Sequence, residues 1–447
     1  MKKIQTDIAI LGAGLTGLAI ADSLKKSGLH VTLLEKENVI GGLAKTVEFN
    51  AFRFDLGGHR LDLRNNDLLQ FIKEIINAED LSYQRRISSV FLKGKYLRYP
   101  PQMHDLLTYK LSNVFKFVCD TISMPMIKKE EPILKNWLIS RVGSTIHDVY
   151  FKDYTKKVWG LGTDYMSSDW AERRIGKITK GSLVKNVFKN FNDNKENVSK
   201  FYYPVEGIGE ICQRLAKRIN AKIISNVEIT KINHKNEKLS NLTYRKDEVE
   251  YDLSFRQLIS TIPVTSLCQY IFPLTLSQNN SLFKSVNHRD LILVFLILDQ
   301  DRVFKDHWVY FPQLEIPFSR ISEPKNWSSK LVSNNKTSLS VELFCNQNDV
   351  LWNSSDEKIM DLVIADLGNL DIIQKSKIKE AFVLRVPFAY PLLHLGYKQG
   401  LNMIIEQLAS FKNLILAGRT GTHSYYDMNE CLFDAMASVK KIIRLLN

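Results

Sequence analysis

Residues 4–42 read IQTDIAILGAGLTGLAIADSLKKSGLHVTLLEKENVIGG, and this stretch decides the fold. Residues 4–11 predict a buried strand, and residues 15–26 have helical periodicity. Residues 31–34 form a second apolar run that ends at Glu35. Three glycines in the spacing G-x-G-x-x-G separate the first strand from the helix. The pattern predicts a β-α-β unit with an acidic residue at the tip of its second strand.

The glycines and the acid of this unit point to a dinucleotide. Gly12 permits a tight turn, Gly14 lets the backbone approach a pyrophosphate, and Gly17 lets the helix pack close to the strand. The first N–H groups of the helix attract phosphate. Glu35 is suited to accept hydrogen bonds from a ribose, and an acid there argues against a 2′-phosphate. We therefore predict a dinucleotide site rather than a glycine-rich turn without a ligand.

The composition is that of an ordinary globular protein with a basic surface. The 447 residues are 45% hydrophobic and 24% charged, which predicts two or three domains. Lysine plus arginine number 61, against 48 for aspartate plus glutamate. Such an excess suits an acidic substrate, a nucleic acid or an anionic membrane surface. Because the charges are scattered, we interpret them as a solvated surface and expect no nucleic-acid partner.

Cysteine usage and apolar runs indicate the compartment. The five cysteines are dispersed without C-x-x-C spacing, which predicts reduced thiols in a cytoplasmic protein and no metal site. A strand begins within the first few residues, so we expect no signal peptide. No apolar run approaches ~18 residues, so we expect no transmembrane helix.

The rest of the chain alternates between strand and helix signals. Residues 46–56 predict a hairpin, 68–75 a helix, 87–99 two small strands, and 100 to about 190 a helical region with an apolar stripe from Leu107 to Ile122. Residues 258–263 look like the return of the chain into the first sheet. Further strands are predicted at 291–298, 339–345, 381–386 and 414–416, one or two helices at 355–380, and a last helix at 431–446.

A strand followed by Gly418-Arg419 and a polar loop precedes the last helix. An arginine there is suited to neutralise a pyrophosphate. The helix N-terminus places positive potential near a ring that becomes anionic on reduction. We therefore expect Arg419 to contact a cofactor, and the alternative is a surface arginine at a strand end.

Several segments resemble known flavoproteins. Glu35 followed by Gly41-Gly42 resembles the FAD-binding opening of the amine-oxidase and glutathione-reductase-like flavoproteins. The segment FDLGGH at 54–59 resembles the flavin-facing loop of amine oxidases, protoporphyrinogen oxidases and UDP-galactopyranose mutases. Segments similar to the mutase family in particular lie at 152–160, 317–320, 389–391 and 418–428. The mutases have an arginine before a Pro-x-x-Gly turn, where this chain has FYYP at 201–204.

The resemblance implies an α/β fold with a Rossmann-type, glutathione-reductase-like FAD-binding domain, a helical insertion and a mixed-sheet substrate domain. Residues 1–85, 200–262 and 396–447 are then a discontinuous FAD-binding domain. Residues 100–199 are the helical insertion, and residues 86–99 and 263–395 are the sheet-based substrate domain.

Motif and resemblance together assign the site residues. The expected FAD-binding residues are Gly12, Gly14, Leu15, Thr16, Gly17, Glu35, Lys36, Gly42, Leu43, Gly57, Gly58, His59, Val227, Gly418, Arg419, Asp427 and Met428. The expected catalytic residues are His59 and Arg320. The expected substrate-binding residues are Trp159, Lys200, Tyr202, Arg320, Tyr390 and Tyr425. Five of the catalytic and substrate-binding residues have a structural alternative: a backbone carbonyl for His59, a salt bridge for Arg320, a core position for Trp159, and a backbone partner for Tyr390 and for Tyr425.

Three functions remain open. The mutase resemblance implies a reduced flavin whose N5 attacks the anomeric carbon of a nucleotide sugar, with NAD(P)H as a candidate reductant, and interconversion of pyranose and furanose forms. The second is an FAD-dependent oxidoreductase that takes hydride from an amine, a polyprenoid or a porphyrinogen-like substrate. The third is a flavin-binding scaffold without activity. We expect an anionic small-molecule substrate, and a homodimer stays an open alternative.

Overall fold

The computed structural model describes residues 2–99, 120, 132–174, 200–272, 281–333 and 335–446. The predicted apolar stripe from Leu107 to Ile122 and much of the predicted helical insertion therefore lie outside the described residues, apart from position 120 in the stripe. The strands are β1 (Lys2–Gln5), β2 (Ile8–Leu11), β3 (Val31–Leu34), β4 (Thr46–Phe49), β5 (Phe52–Asp55), β6 (Leu81–Arg85), β7 (Ser88–Leu92), β8 (Lys95–Arg98), β9 (Lys200–Pro204), β10 (Lys222–Ile224), β11 (Glu228–Lys235), β12 (Lys238–Lys246), β13 (Val249–Ser254), β14 (Gln257–Ser260), β15 (His288–Leu298), β16 (Trp308–Tyr310), β17 (Arg320–Ser322), β18 (Thr337–Cys345), β19 (Ile378–Pro391) and β20 (Leu414–Leu416).

Helices connect these strands. They are α1 (Leu15–Leu24), α2 (Asn66–Ile75), α3 (Leu134–Val142), α4 (Ser144–Ile146), α5 (Lys152–Trp159), α6 (Asp169–Arg174), α7 (Gly209–Arg218), α8 (Val264–Ile271), α9 (Ser281–Lys284), α10 (Asp356–Asn369), α11 (Tyr397–Ala409), α12 (Gly418–Gly421) and α13 (Met428–Leu446). A π-helical turn over His147–Phe151 joins α4 to α5.

A five-stranded parallel sheet forms the centre of the nucleotide-binding part. Its strand order is β10-β3-β2-β14-β20, and every described pair is parallel. The strands β2, β3 and β14 are buried along their whole length, as expected for a sheet covered on both faces. The predicted return of the chain at residues 258–263 is confirmed, because β14 pairs with β2. The carboxyl ends of these strands meet at one edge, where ligands bind in such sheets.

The predicted single strand over residues 4–11 is wrong. It is two strands: β1 pairs with β13 in a separate four-stranded sheet, and β2 belongs to the five-stranded sheet. Thr6 and Asp7 lie at the break. The Thr6 hydroxyl donates to the carbonyl of His30, and an Asp7 carboxylate oxygen accepts from the His30 N–H at 2.9 Å. Short polar side chains that bond the backbone in this way compete with a continuous ladder.

A seven-stranded sheet forms the second large layer. Its order is β19-β15-β18-β17-β16-β7-β8, so β7 pairs with β16 although more than two hundred residues separate them. Buried side chains of α10 pack on one face of this sheet. The predicted one or two helices over 355–380 are α10 and a 3-10 turn over Lys375–Lys377, and only the last three residues of the range are wrong, because β19 begins at Ile378. Asp371, with φ of +53°, turns the chain out of the helix.

The described helices α3 to α6 pack beside β7 and β8. Their shared apolar cluster includes Val90, Leu97, Trp137, Leu138 and Trp159. β6 and β9 form a separate two-stranded sheet. The domain boundaries given above stay a prediction.

Two expectations about the chain as a whole concern thiols and membranes. Cys212, Cys268, Cys345 and Cys431 are free thiols. Burial raises the pKa of the Cys431 thiol to about 11, so its place near the start of α13 does not activate it. Among the described residues, the structure contains no helix with the length and apolar character that a membrane crossing requires.

Candidate functional site

One cavity of about 1160 Å³ extends from the glycine turn after β2 to the seven-stranded sheet and the helical part. Its walls include residues after β2 and β3, the Gly58-His59 loop, residues of α5, β16, β17 and β19, and the segment after β20. It therefore joins the predicted dinucleotide site to the predicted substrate site. In the described part of the chain, no cluster of three or more histidine, cysteine, aspartate or glutamate side chains is arranged to hold a metal ion.

The glycine turn leaves space at the N-terminus of α1 for a phosphate group. Gly12 has φ of +96°, and a Cβ atom on Gly17 would clash with the Gly12 carbonyl oxygen. Gly14 differs, because a Cβ atom there would lie 3.8 Å from its nearest neighbour, the Cα of Gly42. The protein itself thus requires Gly17, whereas Gly14 keeps open a space that no protein atom fills. A pyrophosphate fits this cradle by its chemistry, since the free N–H groups of the helix N-terminus face it.

Glu35 is held rigidly at the end of β3. It is buried, and its Oε2 accepts from the Ala13 N–H at 2.8 Å while Oε1 accepts from the Glu37 N–H at 3.0 Å. The remaining lone pairs of a carboxylate held on the cavity wall suit ribose hydroxyls. Val227 lies beside it, because its N–H donates to the Glu35 carbonyl. Lys36 is exposed at the rim.

His59 lies on the cavity wall in its neutral form. Its Nδ1 is 3.2 Å from the Gly57 carbonyl oxygen, so we assign the proton to Nδ1 and leave Nε2 as an acceptor. Burial lowers the pKa of His59 to about 4, the Gly57 carbonyl opposes this, and the cations of Arg419 and Arg320 lower it further. His59 thus bonds a backbone carbonyl, as its structural alternative predicted, and it also faces the cavity.

Arg320 is both paired and exposed to the cavity. Its Nε and Nη2 donate to Oε1 of the fully buried Glu342 at 2.8 and 2.6 Å. Burial opposes the charge of Arg320, but the Glu342 carboxylate outweighs this and raises its pKa well above the usual range. The guanidinium packs against Gly58, where a Cβ atom would lie 3.6 Å from Nη1. Arg320 therefore stays a cation beside the Gly57-Gly58 loop.

The segment after β20 adds a second arginine. Gly418 has φ of +76°, and its N–H donates to Asp434 Oδ2 at 2.6 Å. The Nη1 of Arg419 donates to the Tyr426 carbonyl at 2.7 Å, and its Nε is buried without a partner among the described residues. Gly418 packs closely against Thr16 of α1, because a Cβ atom on Gly418 would lie 2.8 Å from Thr16 Oγ1. This segment therefore lies next to the glycine turn, where we expect the cofactor.

Asp427 and Glu430 fix the start of α13. The Asp427 N–H donates to Glu430 Oε2 at 2.8 Å, and the Glu430 N–H donates to Asp427 Oδ1 at 3.0 Å. This reciprocal pair is a capping box. Met428 is buried directly after it. Both Asp427 and Met428 line the cavity, and their contact with a cofactor stays a prediction.

Aromatic side chains surround the two arginines. The guanidinium carbon of Arg419 lies 4.7 Å from the ring centroids of both Tyr390 and Tyr425, and Trp159 contacts the same two rings edge-on. Burial raises the pKa of Tyr390 to about 12, and burial together with nearby Tyr310 raises the pKa of Tyr154 well above its usual value. These hydroxyls therefore remain protonated hydrogen-bond donors at neutral pH.

The structure does not bring Lys200 and Tyr202 to the cavity. They lie on β9, which pairs with β6, and the Tyr202 ring lies 4.5 Å from the Tyr83 ring. The Lys200 ammonium is exposed over the same Tyr83 ring at 5.2 Å. Neither residue is among the described residues that line the cavity.

Several lining or supporting residues were not assigned from the sequence. They are Arg86, Tyr99, Tyr154, Tyr310 and Glu342. Only Tyr154 had a signal, because it lies in the segment at 152–160 that resembles the mutases. Tyr310 and Glu342 lie in β16 and β18, which no motif marks, and Arg86 and Tyr99 directly follow β6 and β8.

Comparisons with known proteins agree with this geometry. The family of NAD(P)-binding Rossmann-like domains matches residues 10–75. A 1-hydroxycarotenoid 3,4-desaturase from Flavobacterium sp. (strain P99-3) is 23% identical over 292 residues, or 57% of this chain and 58% of the desaturase. The flavin-containing amine oxidase B of Sus scrofa is 29% identical over 120 residues, or 26% of this chain and 23% of the oxidase. The chain thus spans less than two thirds of the length of either relative.

The fold matches over a longer stretch than the sequence. The crystal structure of reduced UDP-galactopyranose mutase has a TM-score of 0.82 to this chain at 19% identity, and the match covers 98% of this chain and 96% of the mutase. The chain therefore has the α/β fold of this mutase structure, with a Rossmann-like nucleotide-binding part, as the sequence predicted.

Proposed function

We propose that this chain is an FAD-dependent enzyme that interconverts the pyranose and furanose forms of an anionic nucleotide sugar. One observation carries the proposal: Arg320 and Arg419 lie on the same cavity as the glycine cradle. Two arginines with aromatic surroundings suit a phosphorylated substrate placed next to a flavin. The similarity to the mutase fold supports the same choice.

The cofactor would be held by groups already in place. The cradle at Gly12 and Gly14 suits the pyrophosphate, Glu35 the ribose, and the Gly57–His59 loop with Arg419 the flavin end. FAD, when bound, supplies an N5 atom that attacks carbon in the reduced ring or accepts hydride in the oxidised ring. Activity in the reduced form, with NAD(P)H as reductant, is part of this proposal.

The charged and polar residues of the cavity wall would stabilise negative charge on the substrate and donate hydrogen bonds to it. Arg320 and Arg419 offset the charge of a departing diphosphate, and the hydroxyls of Tyr154 and Tyr390 donate hydrogen bonds to its oxygens. His59 is neutral, so it adds no further charge and offers Nε2 as an acceptor. The aromatic rings exclude water from the sugar, which protects an activated anomeric carbon from hydrolysis.

The oxidation state of the flavin provides the test. We expect FAD-loaded protein to interconvert UDP-galactopyranose and UDP-galactofuranose under anaerobic conditions only after reduction by dithionite or NAD(P)H. With 5-deaza-FAD the activity should vanish, because the replacing carbon still takes a hydride but has no lone pair for attack. Product is measured by chromatography. If Arg320 pairs with a buried phosphate, Arg320→Ala should lower kcat/KM by a factor that corresponds to about 2–5 kcal/mol of lost transition-state stabilisation.

A second candidate is an oxidoreductase that removes hydride from an amine, a polyprenoid or a porphyrinogen-like substrate. The similarity to a desaturase and to an amine oxidase favours it. Its signature in the same experiment is substrate consumption by the oxidised protein, with flavin bleaching or peroxide release. That result, with no turnover of nucleotide sugars, would replace the mutase proposal.

A further inference from the structure

Arg86 is a cavity-lining arginine whose charge the described protein leaves unpaired. It follows β6 and lines the cavity in a half-buried position. Its hydrogen bond within the described residues is a long one, from Nη2 to the Tyr99 carbonyl at 3.5 Å. Its Nε is buried and has no partner there. Since buried polar groups are normally hydrogen-bonded, this arginine lacks a partner that a ligand can supply.

Two arginines of the cavity differ from Arg86, whereas Arg419 resembles it in having a buried Nε without a partner among the described residues. Arg320 is paired with Glu342, and Arg385 is paired with Asp356. Arg86 has no carboxylate within salt-bridge distance among the described residues, and its nearest aromatic contact is the Tyr99 ring at 5.9 Å. No carboxylate of the described residues offsets its charge, whereas Glu342 offsets part of the charge of Arg320.

Arg86 and Arg320 are connected by one aromatic wall. The Tyr99 ring lies 5.4 Å from the Tyr310 ring, and Tyr310 is the direct neighbour of Arg320 in the β16–β17 ladder. Arg86 in turn lies 5.9 Å from the Tyr99 ring centroid, so a chain of contacts through Tyr99 and Tyr310 links the two arginines along the cavity lining.

We propose that Arg86 is a second anion subsite, which binds a carboxylate or phosphate of the substrate other than the group held by Arg320 and Arg419. The inference rests on the proposed function. It narrows the substrate class to molecules with two separated anionic groups, such as a nucleotide sugar whose sugar carries a carboxylate. Charge-assisted hydrogen bonds from the unpaired guanidinium would supply the selectivity.

Matched ligands test this subsite. We would measure the affinity of FAD-loaded full-length protein for UDP, UDP-galactose and UDP-galacturonate by calorimetry, which needs no turnover. Wild type should bind UDP-galacturonate about tenfold more tightly than UDP-galactose. Arg86→Gln should abolish this preference and leave the affinities for UDP and UDP-galactose within about twofold. A phosphate-specific subsite would show instead as Arg86-dependent binding of inorganic phosphate to the UDP-saturated protein.

A control variant that also removes one positive charge, but outside the cavity, distinguishes binding at Arg86 from the electrostatic field of the whole protein. Lys95 is exposed on β8, next to β7, and is not among the described residues of the cavity wall. Lys95→Gln should keep the preference for the carboxylate. An equal loss for all three ligands in Arg86→Gln, or absence of both the carboxylate preference and phosphate binding in wild type, overturns the subsite. If wild type binds none of the three ligands, the proposed function fails instead.

Discussion

The glycine cradle differs in kind from the part of the cavity around Arg320 and Arg419, which we call the arginine wall. The cradle around Gly12, Gly14 and Gly17 is a backbone surface made by the absence of side chains. The wall is made of large side chains whose charges are set by burial and by partners such as Glu342. Added volume should therefore damage the cradle, whereas changed charge at constant volume should damage the wall. The predictions below test this difference.

The largest effect is expected in the cradle, where two glycines separate ligand binding from folding. Gly14→Val should abolish FAD binding, because its side chain enters space that the protein leaves open for a pyrophosphate, while the apoprotein keeps its stability. Gly17→Val should lower the free energy of unfolding by about 3 kcal/mol even without FAD, since its Cβ clashes with the Gly12 carbonyl. Flavin absorbance and urea denaturation of the apoprotein measure the two effects.

The two variants serve as controls for each other. A Gly14→Val protein with full flavin content would end the cradle assignment. An apoprotein that loses as much stability from Gly14→Val as from Gly17→Val would show that both glycines are needed only for packing.

A smaller effect is expected on the wall, where Glu342 is inferred to hold Arg320 in place and to offset its charge. Glu342→Gln keeps an acceptor oxygen and removes the charge, so the affinity for UDP should rise about three- to tenfold. Glu342→Ala removes the anchor, so the affinity should fall. Calorimetric titration of the folded, FAD-loaded protein measures both. If one variant binds UDP more tightly and the other more weakly, Glu342 both positions Arg320 and offsets its charge.

Glu323 provides the matched control for Glu342. It is equally buried, and it accepts hydrogen bonds from the N–H groups of Val303 and Phe304 and from the Thr337 hydroxyl. Glu323 is not one of the described residues that line the cavity. Glu323→Gln should therefore lower the melting temperature without changing the affinity for UDP. If Glu342→Gln and Glu342→Ala weaken UDP alike, Glu342 has only a structural role.

The same contrast explains what could be predicted from the sequence. The cradle is local, because Gly12 to Glu35 span one β-α-β unit whose spacing expresses its geometry directly. The pairing of Arg320 with Glu342 depends on the β17–β18 register, which no short motif records. Lys200 and Tyr202 were assigned from their place before a turn. Pairing of β9 with β6 puts them beside Tyr83 instead.

Local polar chemistry produced the other errors. The apolar pattern of residues 4–11 predicted one strand, but the hydrogen bonds of Thr6 and Asp7 to His30 divide it between two sheets. The fold class was predictable because it depends on long apolar runs and on the glycine motif. Arg86, by contrast, lies between β6 and β7 in a stretch without a motif, so nothing in the sequence indicated that it lines the cavity.

The smallest effect is expected at Asp55, which connects the two regions. Asp55 directly precedes the Leu56–His59 segment and accepts hydrogen bonds from the hydroxyls of Thr46 and Tyr203, both at 2.6 Å, and from the Ile208 N–H at 3.1 Å. Burial raises the pKa of Asp55 to about 6, and these three donors only partly oppose it. An unfolded aspartate titrates near pH 4, so between about pH 4 and 6 the folded protein retains a proton that the unfolded chain has released.

Raising the pH through this window should therefore cost the wild type stability, and the loss should be complete above about pH 6. Asp55→Asn does not titrate, so its free energy of unfolding relative to wild type should rise by about 1 kcal/mol from pH 4 to 6, because partial exposure reduces the ~3 kcal/mol of a fully buried group. Urea denaturation at pH 4, 5, 6 and 7 measures this difference, and groups shared by both proteins cancel. Tyr203→Phe removes one donor to the ionised Asp55, so it should extend the loss of stability above pH 6. A difference between Asp55→Asn and wild type that is flat across these pH values would show that the carboxyl titrates normally and that its hydrogen bonds fully offset its burial.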